Sequence, residues 1–202
     1  MPAIFTPSDK EGLRRRMLDA GWSCLLARGY RAMRIEDIAQ EAGIAASTFY
    51  GFFSSKTAFV TEMVAENRRE LVGALERELA RAERGGERVV LERWMREVWH
   101  GERCIFRCLS RQDFQRIRAG LPYDVVMGPE MSGGALARLL ERSVGEARDA
   151  DLELAESLQR VCAVTLLARD AFTAEELERA VDALIDMTLE ALFGTRHGRG
   201  EE

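Results

Sequence analysis

Apolar residues return every third or fourth position through almost the whole chain, and no segment shows the strict alternation of a half-buried strand. Only four prolines interrupt the 202 residues. Runs of Ala, Leu, Glu and Arg, all strong helix formers, fill the intervals. Short helices at the N-terminus and long ones after them cannot stand alone, so each must bury its stripe against neighbours. The pattern predicts an all-α fold, with a three-helix N-terminal head joined by a long helix to a larger helical body.

Local signals set the boundaries. Thr6-Pro7-Ser8-Asp9 starts a helix as cap, first-turn proline and acidic third position. That helix runs to about Arg28 on a stripe of Leu13, Met17, Ala20, Cys24 and Leu25, and Gly29 ends it. A short helix over Ile35 to Ala42 follows, then a turn at Gly43, then a second short helix within Ile44 to Phe53. Ser55 caps a long helix from Lys56 to about Arg84, which Gly85-Gly86 closes. Further helices are expected over Val89 to His100, Glu102 to Arg118, Tyr123 to Met127, Ser132 to Arg148, Leu152 to Ala171 and Ala174 to Phe193. Thr173 and Glu176 form a capping box for the last. These signals divide the chain into 1–55 and 56–202.

The charge is uneven. Residues 1–56 hold eight Lys/Arg against six Asp/Glu, whereas the rest of the chain is acidic, within a total of −5. A mildly basic head on an acidic body suits local contact with a polyanion. No apolar run approaches the roughly 20 residues that cross a bilayer. The first residues, MPAIFTPSDKEGLRRR, lack the order of a signal peptide, so a cytoplasmic location with reduced thiols is expected.

The stretch AGIAASTFYGFFSSK places helix, glycine turn and helix in helix-turn-helix order. The second helix of such a pair enters the major groove with its N-terminal residues at base edges. Ala45, Ala46, Ser47 and Thr48 occupy that end, with Tyr50 and Gly51 further along. Small residues permit close approach, and the two hydroxyls suit bases or phosphates. Tyr50 joins a packing ring to a hydroxyl within reach of phosphate, and Lys56 adds a cation at the next helix start. Phe49, Phe52 and Phe53 are expected to face inward.

Residues 35–60, IEDIAQEAGIAASTFYGFFSSKTAFV, resemble the DNA-binding signature of TetR-family transcriptional regulators. The matching groups are Asp37-Ile38-Ala39, Ala42-Gly43-Ile44, Thr48-Phe49-Tyr50, Phe52-Phe53 and Ser55-Lys56, with Gly29-Tyr30 ahead of them. The resemblance is sharp over about residues 13–64 and architectural beyond. It implies a homodimer that binds a double-stranded DNA operator and is released by a small-molecule effector, with no cofactor. It departs where the family commonly has Thr-Thr: Met33-Arg34 stands there, and Arg34 can meet a phosphate but cannot cap. Ala45 and Ser47 also replace a frequent Ser and Gly.

In the body, Trp94, Trp99, Phe106, Phe114, Tyr123, Met127, Met131 and Phe172 are candidates to line an effector cavity, with Arg103 and Arg107 for an acidic group on the effector. A hydrophobic or mixed effector is expected. Leu158, Val161 and Thr165 on one helix, and Leu177, Val181, Leu184, Ile185 and Thr188 on the last, are candidates for a twofold dimer contact. His100, Cys104 and Cys108 fall at i, i+4 and i+8 on one helical face, where adjacent pairs could share a metal or respond to oxidant but all three lie too far apart for one ion. No nucleophile motif, phosphate loop or metal pattern argues for an enzyme. The competing reading is a helical small-molecule binding or thiol-responsive protein whose DNA grip is weak or lost.

Overall fold

The computed structural model describes residues 6–83, 85–119 and 151–194. The helices in them are α1 (Pro7–Ala32), α2 (Ile35–Glu41), α3 (Ala46–Tyr50), α4 (Lys56–Leu79), α5 (Glu87–His100), α6 (Ile105–Cys108), α7 (Arg111–Ala119), α8 (Leu152–Leu167) and α9 (Ala174–Phe193). A single 3-10 turn, Arg169–Ala171, separates the last two. No helix among these residues is long and apolar enough to cross a membrane. The helices expected over 123–127 and 132–148 lie outside the described residues. The all-α head and larger helical body expected from periodicity are the architecture observed.

Contacts divide the chain into two compact units. One, the head, comprises Met1–Arg68 with Cys108–Gly120; the other, the body, comprises Arg69–Arg107 with Leu121–Glu202. The helix-turn-helix unit therefore extends past residue 55 through the first half of α4, and it takes in α7.

The head is built on a capped first helix. Thr6 Oγ1 accepts from the Asp9 amide and Asp9 accepts from the Thr6 amide, the reciprocal box expected there. Leu13, Met17, Ala20, Cys24 and Leu25 are buried along its inner stripe. Gly29, at φ +73, breaks the helix, a conformation that a side chain disfavours. Gly21 lets α1 pass close to α4: a Cβ there would lie 2.5 Å from the Phe59 ring and 2.8 Å from Met63 Sδ.

In the body, α5, α8 and α9 enclose Leu91, Met95, Trp99, Cys162, Leu166, Val181, Ile185 and Leu189, all nearly or wholly buried. Thr173 and Glu176 form the expected capping box at the start of α9. A buried polar chain crosses the helices: Trp99 Nε1 donates to Gln159 Oε1, Gln159 Nε2 to Thr188 Oγ1, and the Thr188 hydroxyl to the Leu184 carbonyl. Each member is satisfied, so burial of these polar groups carries no desolvation penalty left uncompensated.

Two expectations for the helices around residues 100–118 change. Residues 102–118 form two short helices, because Ser110 caps α7 by accepting from the Asp113 amide at 3.1 Å. His100, Cys104 and Cys108 do not share a helical face, because α5 ends at His100. Gly101 turns the backbone there, and a Cβ on it would meet the Glu97 carbonyl oxygen at 2.3 Å. His100 instead sits between carboxylates of α9, with Nδ1 2.6 Å from Glu178 Oε2 and Nε2 2.9 Å from Asp182 Oδ1. Arg107 holds Glu178 from the other side through both terminal nitrogens, at 2.7 and 3.0 Å.

The Arg107 hydrogen bond, opposed by burial and joined by His100, keeps the Glu178 carboxyl below its ordinary value of 4.5. A depressed carboxylate stabilises the fold above its unfolded pKa, and that contribution is lost as pH falls through the folded value. Melting temperature should therefore drop on acidification below about pH 4.5, with a shallower drop in Glu178→Gln. Equal acid sensitivity in the two proteins, followed by circular dichroism from pH 7 to 3.5, would place the acid-labile group elsewhere.

Candidate nucleic-acid interface

The α2–α3 turn follows directly from its sequence. The Gly43 amide donates to the Gln40 carbonyl at 3.1 Å and the Ile44 amide to the Ala39 carbonyl at 2.9 Å, the paired bonds of a Schellman ending. Gly43 adopts φ +72 to close it. The chain then enters α3 from an extended Ala45.

Within five residues α3 separates its two faces. Phe49 is fully buried, with ring centroids 5.0 Å from Phe59 and 5.3 Å from Phe53. Phe53 closes the cluster at 4.9 Å from Phe59, and Phe52 flanks it half-buried at 6.3 Å from Phe53. Opposite lie Ala45, Ser47, Tyr50 and Gly51, all exposed, with Ala46 and Thr48 half-buried at the margin. Tyr50 is 54% exposed and touches Phe49 edge-on at 5.8 Å, so its ring is steadied while its hydroxyl stays free to reach outward. The five-residue helix is thus held by one aromatic anchor and presents small and hydroxyl-bearing side chains.

The cations of the head are largely engaged within it. Arg28 pairs with Asp37, and Arg14 with Glu62 and Glu66. Lys56 points inward: its ammonium donates to the Tyr30 carbonyl at 2.9 Å and the Met33 carbonyl at 3.1 Å, and lies 4.4 Å from the Tyr30 ring centroid. Burial lowers its pKa, countered by Asp113. Lys56 thus ties the start of α4 to the end of α1. Arg34 is exposed at the N-cap of α2, with no side-chain cap bond, as its side chain dictates. Of the eight residues expected to face DNA, Arg34, Ala45, Ser47, Tyr50 and Gly51 are exposed, Ala46 and Thr48 are half-buried, and Lys56 is turned to the Tyr30 and Met33 carbonyls.

The body candidates separate into groups. Trp99 and Phe106 stack at 5.8 Å, and Arg107 Nε donates to the Trp99 carbonyl, so these three come together. Trp94 lies half-buried with its indole on the Leu71 carbonyl at 2.7 Å. Arg103 and Phe172 are exposed, and Phe114 belongs to the head unit. Tyr123, Met127 and Met131 lie outside the described residues. Of the dimer candidates, Leu158, Leu177, Val181, Ile185 and Thr188 are buried within the single chain, Thr165 and Leu184 are half-buried, and Val161 is exposed. Among the described residues, no three His, Cys, Asp or Glu side chains gather as a metal site.

Residues 17–63 match the family model described as "Bacterial regulatory proteins, tetR family". Over 63 residues the chain is 36% identical to the HTH-type transcriptional repressor KstR2 of Rhodococcus jostii (strain RHA1). That match spans 31% of this chain and 31%, about a third, of the relative's own length. The fold is shared more widely. The fatty acid degradation regulator FadR from Bacillus halodurans superposes with TM-score 0.61 at 16% identity, covering 98% of this chain and 100% of that one. The FadR of Bacillus subtilis, solved with stearoyl-CoA, gives 0.58 at 17% identity over 90% and 99%. The stretch that matches the family model is the one that builds α2, its Schellman turn and the two-faced α3, and over it the chain is similar to the tetR family of bacterial regulatory proteins.

Proposed function

We propose that the protein is a dimeric repressor that binds a near-palindromic operator and is released by a small hydrophobic or mixed effector. The observation that carries this reading is the division of α3, with Phe49 sealed in the core and Tyr50 exposed beside Ser47 and Ala45. That face has the dimensions and chemistry for the major groove, where hydroxyls meet phosphates and base edges and small side chains allow close approach. Arg34 supplies a cation for the backbone next to it.

Support for a second copy comes from the outer faces of the last two helices. Leu154, Val161 and Val164 form one exposed row on α8, at 45%, 48% and 64% exposure, and Met187 of α9 is 49% exposed. Apolar rows of this kind mark association surfaces. Twofold pairing through them, rather than through the buried Leu158, Val181 and Ile185, would repeat the reading helix at a fixed spacing on the duplex. The Trp99–Phe106 pair with Arg107 is the most concentrated effector-side candidate, although an acidic effector would have to displace Glu178 from Arg107.

The thiol-responsive reading has less support. Burial raises the pKa of Cys24 and Cys104 and pushes Cys162 up to about 12, so these thiols stay protonated and poorly nucleophilic near neutral pH.

Selection from random duplexes tests the proposal, and enrichment of a sequence with two inverted half-sites is the expected result. Tyr50→Phe should then weaken binding to that sequence by about three- to tenfold, the loss of one hydroxyl–phosphate bond, with an unchanged melting temperature. Failure to enrich any inverted repeat at low salt would count against specific operator binding. A large loss of stability in Tyr50→Phe would instead make Tyr50 a packing residue.

A further inference from the structure

The segment Gly29–Arg34 delivers the chain from α1 into α2, and it is held from two sides. On one side Lys56 takes the Tyr30 and Met33 carbonyls, and the Tyr30 hydroxyl lies 3.3 Å from Thr57 Oγ1. On the other stands α7, which is distant in sequence but part of the same unit. Asp113 of α7 is only 5% exposed, the one carboxylate among the buried side chains described. Its Oδ1 accepts from Arg31 Nε at 3.1 Å, its Oδ2 accepts from the Ser110 hydroxyl at 2.6 Å, and Arg116 lies 3.9 Å away. Arg31 also donates to Gln112 of the same helix. The Nε–Nη2 edge of this guanidinium is thereby directed at α7, while the rest of the side chain is exposed.

A buried carboxylate persists where its charge is compensated and its lone pairs are filled. Here the compensating cation sits three residues before Arg34. Gly29 breaks α1 at φ +73, so the turn after it lacks the support of a continuous helix and depends on such anchors. Met33 is buried at 2% and fixes the chain's depth, but a buried methionine does not set the direction of the following residue. The Arg31 fork, held at two points, adds that directional constraint.

We infer that Asp113 is a positioning residue for DNA recognition, which acts through Arg31 to fix the Gly29–Arg34 turn and so the aim of Arg34 and α2 at the DNA backbone. This rests on the operator-binding reading above. It gives α7 a role that its distance along the chain conceals: the helix supplies the acidic half of a clamp on the DNA-facing turn.

The test is a double-mutant cycle of Asp113→Asn and Arg31→Gln in the full-length protein, with two measurements. The first is affinity for the duplex enriched from random sequence. Each single variant should bind about tenfold more weakly, and the double variant no more weakly than either single. If Asp113 served only to cap α7, its effect would persist undiminished in the Arg31→Gln background, and losses that multiply to about a hundredfold would overturn the proposal. Unchanged affinity in Asp113→Asn would overturn it as well. The second measurement is amide hydrogen exchange of the free protein, which should rise across residues 29–36 in both single variants and stay unchanged across residues 13–25. Unaltered exchange at 29–36 refutes the clamp whatever the DNA result. Faster exchange there in a protein that enriches no duplex would leave the clamp standing and refute the operator reading.

Discussion

Phe59→Ala is expected to destabilise the head by about 3–5 kcal/mol, the range for removing a fully buried aromatic ring. The ring is 0% exposed and touches Phe49 and Phe53, the two rings that hold α3. It also fills the space beside Gly21, where α1 passes too close for any Cβ. Neighbours on three helices cannot collapse into one void, so the cavity would persist and the cost would sit at the upper end. A loss of this size is a large part of a domain's total stability of about 5–15 kcal/mol. DNA binding should disappear together with the first thermal transition. The body has its own core and should keep its helicity, so calorimetry would show a lowered or missing early transition with a retained later one. A single unchanged transition would mean that the cluster is not the anchor of α3.

The second large effect falls on binding alone. Ser47→Glu should lower affinity for the selected duplex by about a hundredfold or more, since a like charge brought against phosphate costs several kcal/mol and the proposed dimer carries two copies. Stability should hardly change, because Ser47 is exposed and a carboxylate in the first turn of a helix is favourable. Fluorescence anisotropy with a labelled duplex, paired with a melting curve, separates the two effects. Retained affinity would show that this face of α3 does not approach DNA. The contrast with Phe59→Ala is diagnostic, as the two residues stand on opposite sides of the same short element.

The sequence made the local devices of this fold legible, and the reason is physical. The Thr6–Asp9 and Thr173–Glu176 boxes, the Gly29 break and the Gly43 turn depend on side chains within a few residues of one another. Periodicity likewise located the buried face of α1, Leu13, Met17, Ala20, Cys24 and Leu25. Ser110 is hidden from a periodicity reading because helical spacing continues across it, although Ser110-x-x-Asp113 has the form of a helix start. What could not be read locally is pairing over distance. The positive excess of the head suggested cations for a polyanion, yet Arg28, Arg31 and Lys56 are taken up by Asp37, Asp113 and two carbonyls. Nor does any sequence pattern tell whether an apolar stripe on α8 or α9 is covered by its own chain. Val181 and Ile185 are, whereas Val161 and Val164 are not.

That the head is assembled from two stretches of chain has a practical consequence for anyone who would move it between proteins. No single cut yields it whole. A fragment ending after Arg68 forfeits residues 108–120 and with them Leu109, Asp113 and Ile117, each buried in the intact fold. A hybrid regulator made by exchanging only the first 68 residues would join a new helix-turn-helix to a foreign α7. Such grafts should work best when the inner segment travels with the outer one, which makes the exchangeable unit of this protein a noncontiguous one.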